Sequence, residues 1–193
     1  MWSEDPSNRF LVQKSKMLRF STFPRTKAPR DHVQSVVKVF EEHLPKIGTV
    51  KLKKGLTSDG VLSVLRDDLV DLGWHVERGK RTEEKVKRPV FFGENAVPDL
   101  QYEVDAWHAD WRSGMEVEAG RAWMGNAVCR DLIQALVMVD MEFLFLAVPQ
   151  SYKYNSVGRE TISRDYENTI AVVEALYGHS RIRMPFDLCV IGY

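Results

Sequence analysis

The chain has 193 residues, 44% hydrophobic and 10% aromatic, and its 27 basic and 27 acidic side chains leave no net charge. That length and apolar content support one domain with a buried core and exclude a disordered chain. The charge balance excludes a uniformly basic coat, although an acidic centre within a basic rim would give the same total.

No apolar run reaches the roughly 18 residues of a membrane span. The polar stretch Met1–Arg9 lacks the apolar core of a secretion signal. A cytoplasmic protein with no membrane partner is therefore expected. Cys129 and Cys189 both lie in apolar runs and read as reduced core thiols. Residues 1–57 read as an N-terminal extension with a helix, and 58–193 as the core of the same single domain.

After a short apolar run punctuated by Pro24 and Pro29, Asp31 is placed to cap a helix over 32–44. There Val33, Val36, Val37, Phe40 and Leu44 recur at helical spacing, and Pro45 and Gly48 end it. A second helix is predicted from Ser58 or Asp59 to Leu72, with Val61, Leu62, Leu65, Leu69 and Leu72 on its buried face and Gly73 as terminator. Residues 74–77 read as a short strand, 78–88 as a charged link and 90–92 as a further strand. Beyond residue 120 the pattern predicts a helix over 123–139, a buried strand over 143–148, a polar loop through 150–160, a helix over 163–177 and a last strand over 186–191. Helices before, between and after strands predict an α/β class with a mixed sheet.

The most telling segment runs from Glu103 to Glu118. Two strands, 100–108 and 115–119, flank a link containing Ser113-Gly114, with the turn itself near Asp110–Arg112. Period two puts Tyr102, Val104, Ala106, Met115 and Val117 on one face and Glu103, Asp105, Glu116 and Glu118 on the other. Neighbouring carboxylates repel, so this face makes physical sense around a divalent cation. Oxygen ligands of this kind suit Mg²⁺, with Mn²⁺ as a substitute.

An Asp in one strand, a turn, Glu116-Val117-Glu118 in the next, then a helix and a buried strand, resembles the PD-(D/E)XK nuclease superfamily. Within it the pattern is most similar to the BamHI/BglII-type restriction endonucleases, over residues about 99–148. The resemblance implies a restriction-endonuclease-like core with a central mixed sheet flanked by helices. It also implies a Mg²⁺-dependent homodimeric enzyme that hydrolyses DNA phosphodiester bonds. Asp105, Glu116 and the Val117 carbonyl would hold the ion, and Glu118 would orient or deprotonate the attacking water. Asp99 is a weaker match than Asp105. At about 3.3 Å per residue the two lie on the order of 20 Å apart along a strand and cannot share an ion.

Position 118 departs from the commoner family pattern, in which a Lys stands there and supplies positive charge. The competing expectation is a nuclease-fold protein that binds or regulates nucleic acid without chemistry. Arg78, Lys80, Arg81, Lys85, Lys87 and Arg88 form a basic loop placed to contact DNA phosphates, and Lys51, Lys53 and Lys54 a smaller cluster. Asn126, Arg130 and Gln134 make a polar stripe at helical spacing, in which Arg130 would meet a carboxylate or a phosphate. Asp59, Asp67 and Asp68 are candidates for an extra acid. His75, His108 and His179 lack zinc-site spacing, and Trp107 and Trp111 read as packing residues.

Overall fold

The structure is a computed structural model that describes residues 17–50, 55–120, 122, 123 and 125–193. The Met1–Arg9 stretch and the Lys51, Lys53 and Lys54 cluster lie outside the described residues.

The central run Phe143–Val148 is apolar at every position because it forms the innermost strand, β7, with all six residues buried. A strand covered on both faces needs no polar alternation. Phe143, Phe145 and Ala147 point into one apolar cluster, and Leu144, Leu146 and Val148 into the other. β7 is flanked in parallel by β6 (Ser113–Val117) and β10 (Asp187–Gly192). β1 (Arg19–Phe23) pairs antiparallel outside β10, and β5 (Ala106–His108) and β2 (His75–Val76) continue antiparallel beyond β6. The six-stranded sheet has the order β1-β10-β7-β6-β5-β2.

Helices α1 (His32–Ile47) and α2 (Ser58–Asp71) cover one face, and α3 (Ala127–Val137) and α4 (Asp165–Gly178) the other. The expected architecture, a central mixed sheet flanked by helices, is the one observed. Each fully buried Leu or Phe of this core contributes on the order of 1.5–3 kcal/mol. Among the described residues no helix is long and apolar enough to cross a membrane.

Several local expectations change. Helix α1 continues through Pro45 to Ile47, since a proline in the last turn removes one donor without breaking the ladder before it, and Gly48 N–H closes the end on Leu44 at 2.9 Å. The 78–88 link is partly ordered, with a 3₁₀ turn over Thr82–Glu84 and a strand, β3, over Val86–Phe92. The supposed loop through 150–160 contains a hairpin, β8 (Tyr152–Ser156) and β9 (Arg159–Ser163). Its two-residue turn places Val157 and Gly158 at positive φ, a conformation usually signalled by Asn-Gly, which this sequence lacks.

The expected strand 100–108 is two strands. β4 (Pro98–Val104) pairs with β3 in a separate hairpin, and the chain bends at Asp105 before β5 joins the main sheet. The bend breaks the alternation. Val104 and Tyr102 pack with one cluster, whereas Ala106, Met115 and Val117 pack with the other. The turn spans residues 109–112, with Arg112 N–H on the Ala109 carbonyl at 3.1 Å, so Ser113 and Gly114 open β6 and are not in the turn.

Candidate active site

The bend at Asp105 lies where β5 begins, beside the C-terminal end of β6. Ala106 stands opposite Met115, so one further step of that antiparallel register sets Asp105 across from Glu116. The Asp105 carboxylate accepts the Val117 N–H at 2.7 Å. Glu118 follows the last residue of β6 and is held by its backbone: its N–H donates to the Ala147 carbonyl at 2.8 Å, and its carbonyl accepts the buried Tyr193 hydroxyl at 2.5 Å. From the next layer, α3 brings Asp131, whose side chain is 1% exposed. Its neighbour Arg130 reaches Glu118 and Asp131, both at 3.0 Å.

Asp105, Glu116, Arg130 and Asp131 border an open cleft of about 510 Å³ that also meets Glu77, Lys85, Gln101, Glu103 and Gln134. Five carboxylates on its wall, Glu77, Glu103, Asp105, Glu116 and Asp131, face two cations, Lys85 and Arg130. Burial pushes the Asp105 carboxyl up to about 7. Its hydrogen bond from Val117 pulls it back, and the charges of Glu77 and Asp131 add to the rise. Glu116 is raised well above its usual range, first by burial and then by Asp105, Asp131 and Glu118. Glu118 rises to about 8, first by burial and then by the neighbouring charge of Asp131; Arg130 opposes the rise. Asp131 is raised by its own burial. The protein has gathered more negative charge here than it neutralises.

That surplus, carried on hard oxygen ligands, fits a divalent cation in donor chemistry and in sign. The buried Asp131 Oδ2 has no hydrogen-bond partner, a second sign of unmet charge. The expected convergence of three acids is not found. Among the described residues no three His, Cys, Asp or Glu side chains are spaced to hold one ion. Glu118 instead turns toward Arg130 and Asp131, where a counter-charge is already present. Of the expected ligands, Asp105 and Glu116 adjoin at the cleft, and Val117 follows Glu116 on β6.

The expected DNA-contacting residues separate. Arg78, Lys80, Arg81 and Lys87 are exposed around the turn and on β3, and Arg130 is exposed at the cleft. Arg88 is packed with its guanidinium 3.9 Å from the Trp107 ring centre, so it acts as core edge more than as a free cation. Lys85 leaves the loop and lies in the cleft, on Glu77 at 2.7 Å. Asp67 and Asp68 do not line the cleft; Asp68 pairs with His43 at 2.5 Å. Asp59 borders a different cavity, beside Ser58, whose hydroxyl accepts the Ala119 N–H at 3.0 Å. Sequence reasoning left Asp131 unassigned and overlooked Glu77. Asp131 carried a signal: with Val128, Leu132 and Ala135 it follows the buried spacing of α3, so an acid stood at a core position.

No protein-family model matches the chain, and no curated protein does. Among solved structures it is similar to the restriction endonuclease BglII complexed with a DNA 16-mer, with 12% identity, 91% of this chain and 75% of that chain covered, and a TM-score of 0.48. It is also similar to free BglII, with 14% identity, 91% and 78% covered, and a TM-score of 0.43. At identities this low the likeness concerns the fold alone.

Proposed function

We propose that this chain is a Mg²⁺-dependent endonuclease that hydrolyses DNA phosphodiester bonds in the manner of restriction enzymes. The observation that carries the reading is the cleft wall itself, with five carboxylates against two cations, of which Asp105, Glu116 and Asp131 hold their protons abnormally tightly. Evolution of such a costly cluster makes sense where a cation and a phosphate meet it. Bound by Asp105, Glu116 and the Val117 carbonyl, Mg²⁺ (or Mn²⁺) would neutralise phosphate charge and acidify a nearby water.

The chain's own residues supply the rest. Water oxygen forms a bond to phosphorus opposite the leaving ester oxygen. Its proton passes to Glu118, whose pKa of about 8 suits a base near neutral pH. The phosphorus–oxygen ester bond breaks, and the leaving oxygen takes a proton from solvent. Arg130 keeps Glu118 in place. Exposed Arg78, Lys80, Arg81 and Lys87 hold flanking phosphates. A homodimer would place two such centres on two strands. The exposed Ile133, Leu136 and Val137 on α3 offer an apolar face for it.

The test is cleavage of a varied plasmid set with Mg²⁺, abolished by EDTA and by Glu116→Gln. Inertness of the wild type with both Mg²⁺ and Mn²⁺ would refute it. One observation favours a second reading, a nucleic-acid-binding protein without chemistry: Arg130 already sits on Glu118 and Asp131 and supplies internal counter-charge. Calorimetry separates the two, because only the enzyme reading requires Mn²⁺ affinity that disappears in Asp105→Ala.

A further inference from the structure

A cleft that handles phosphate with a glutamate at position 118 lacks a cation on β6, and the fold supplies one from another strand. In the β3–β4 hairpin Val86 stands opposite Val104 and Lys87 opposite Glu103. One more step of that register sets Lys85 across from Asp105, as the β5–β6 register sets Asp105 across from Glu116. Lys85, Asp105 and Glu116 thus follow one another across three neighbouring segments.

The approach to Lys85 is built locally. Arg78 N–H meets the Glu84 carbonyl at 3.0 Å, and Arg81 N–H meets the Glu84 carboxylate at 3.1 Å, which folds the 78–84 turn back on itself. Lys85 then emerges facing Glu77, whose N–H is bound to the Asp105 carbonyl at 2.8 Å. The ammonium rests 2.7 Å from Glu77 and 3.6 Å from Glu103, with the side chain 19% exposed. A half-buried lysine with two carboxylate partners stays charged: the hydrogen bond to Glu77 raises its proton affinity, partial burial opposes this, and the partners prevail.

We infer that Lys85 is the phosphate-facing cation of this site, parked on Glu77 and Glu103 until a phosphodiester enters the cleft and takes its ammonium as a donor. This inference rests on the proposed nuclease reading and deepens it. A lysine ammonium is a compact point charge on a long stem with three donors. It can bridge from Glu77 to a phosphate oxygen while keeping one carboxylate contact. The device puts positive charge against the scissile phosphate from β3, leaving position 118 free to act as a base.

Removing Lys85 alone leaves Glu77 buried without its partner, so the experiment uses Lys85→Met, Lys85→Arg, Glu77→Gln and the double variant Glu77→Gln/Lys85→Met. Plasmid cleavage with Mg²⁺ is measured alongside binding of a short mixed-sequence duplex with Ca²⁺, a weaker Lewis acid, across a salt series. Lys85→Met is expected to lower turnover by on the order of 10²-fold, the loss found for one preorganised donor to a developing charge. The double variant should stay equally slow although its melting temperature recovers, and Lys85→Arg should restore most of the rate. The salt slope of duplex binding should fall by about one in both methionine variants. A double variant that cuts as fast as Glu77→Gln, or an unchanged slope, overturns the inference while leaving the nuclease reading intact. A wild type that neither cuts nor binds duplex overturns both.

Discussion

Replacing Asp105 by Asn should stabilise the protein at alkaline pH while abolishing its proposed activity. The carboxyl is raised from its ordinary 3.8 to about 7, so between those values the folded state binds a proton that the unfolded chain has released. Stability therefore falls as pH rises through about 4 to 7, and the loss is complete above 7. A shift of about three units at 1.36 kcal/mol each sets a ceiling of about 4 kcal/mol. Water reaching this half-buried group lowers the expected value to about 2 kcal/mol. Asparagine keeps an oxygen for the Val117 N–H and removes the charge.

Urea melts of wild type and Asp105→Asn should nearly coincide at pH 4 and diverge progressively by pH 8, with the variant more stable. Mn²⁺ at about a hundredfold over its dissociation constant should return roughly 2.7 kcal/mol to the wild type alone. A stability difference that is independent of pH, or one that grows as pH falls, would refute the claim that Asp105 is held against its charge.

Further outcomes follow from the same geometry. Leu146→Ala removes a fully buried side chain of β7 and should cost about 2–5 kcal/mol in denaturant melts. Arg130→Ala removes the charge that opposes the rise of Glu118, so the ascending limb of the pH–rate profile should move to higher pH; a limb that stays in place would separate Glu118 from the base role. Arg88→Ala should cost about 1–2 kcal/mol through lost stacking on Trp107 and leave the salt slope of DNA binding unchanged. The exposed Arg78→Ala should do the reverse, with little effect on melting and a slope reduced by about one.

Much of the scaffold was legible because its signals are local. The unbroken apolar run of β7 and the helical spacing of Val33, Val36, Val37 and Phe40 each follow from a short window of sequence, and so did the mixed α/β class. Asp105 and Glu116 could be paired because one hairpin turn separates them. The bend at Asp105 was hidden, since both halves of 98–108 have strand character and only the choice of partner strand divides them. The β8–β9 hairpin was hidden for want of the usual turn residues at Val157-Gly158. Asp131 and Lys85 reach the cleft through helix docking and strand register, contacts made between distant parts of the chain. Side-chain chemistry and period are written residue by residue, whereas the meeting of charges from separate elements is settled by how the layers pack, because that packing alone sets which groups lose water together.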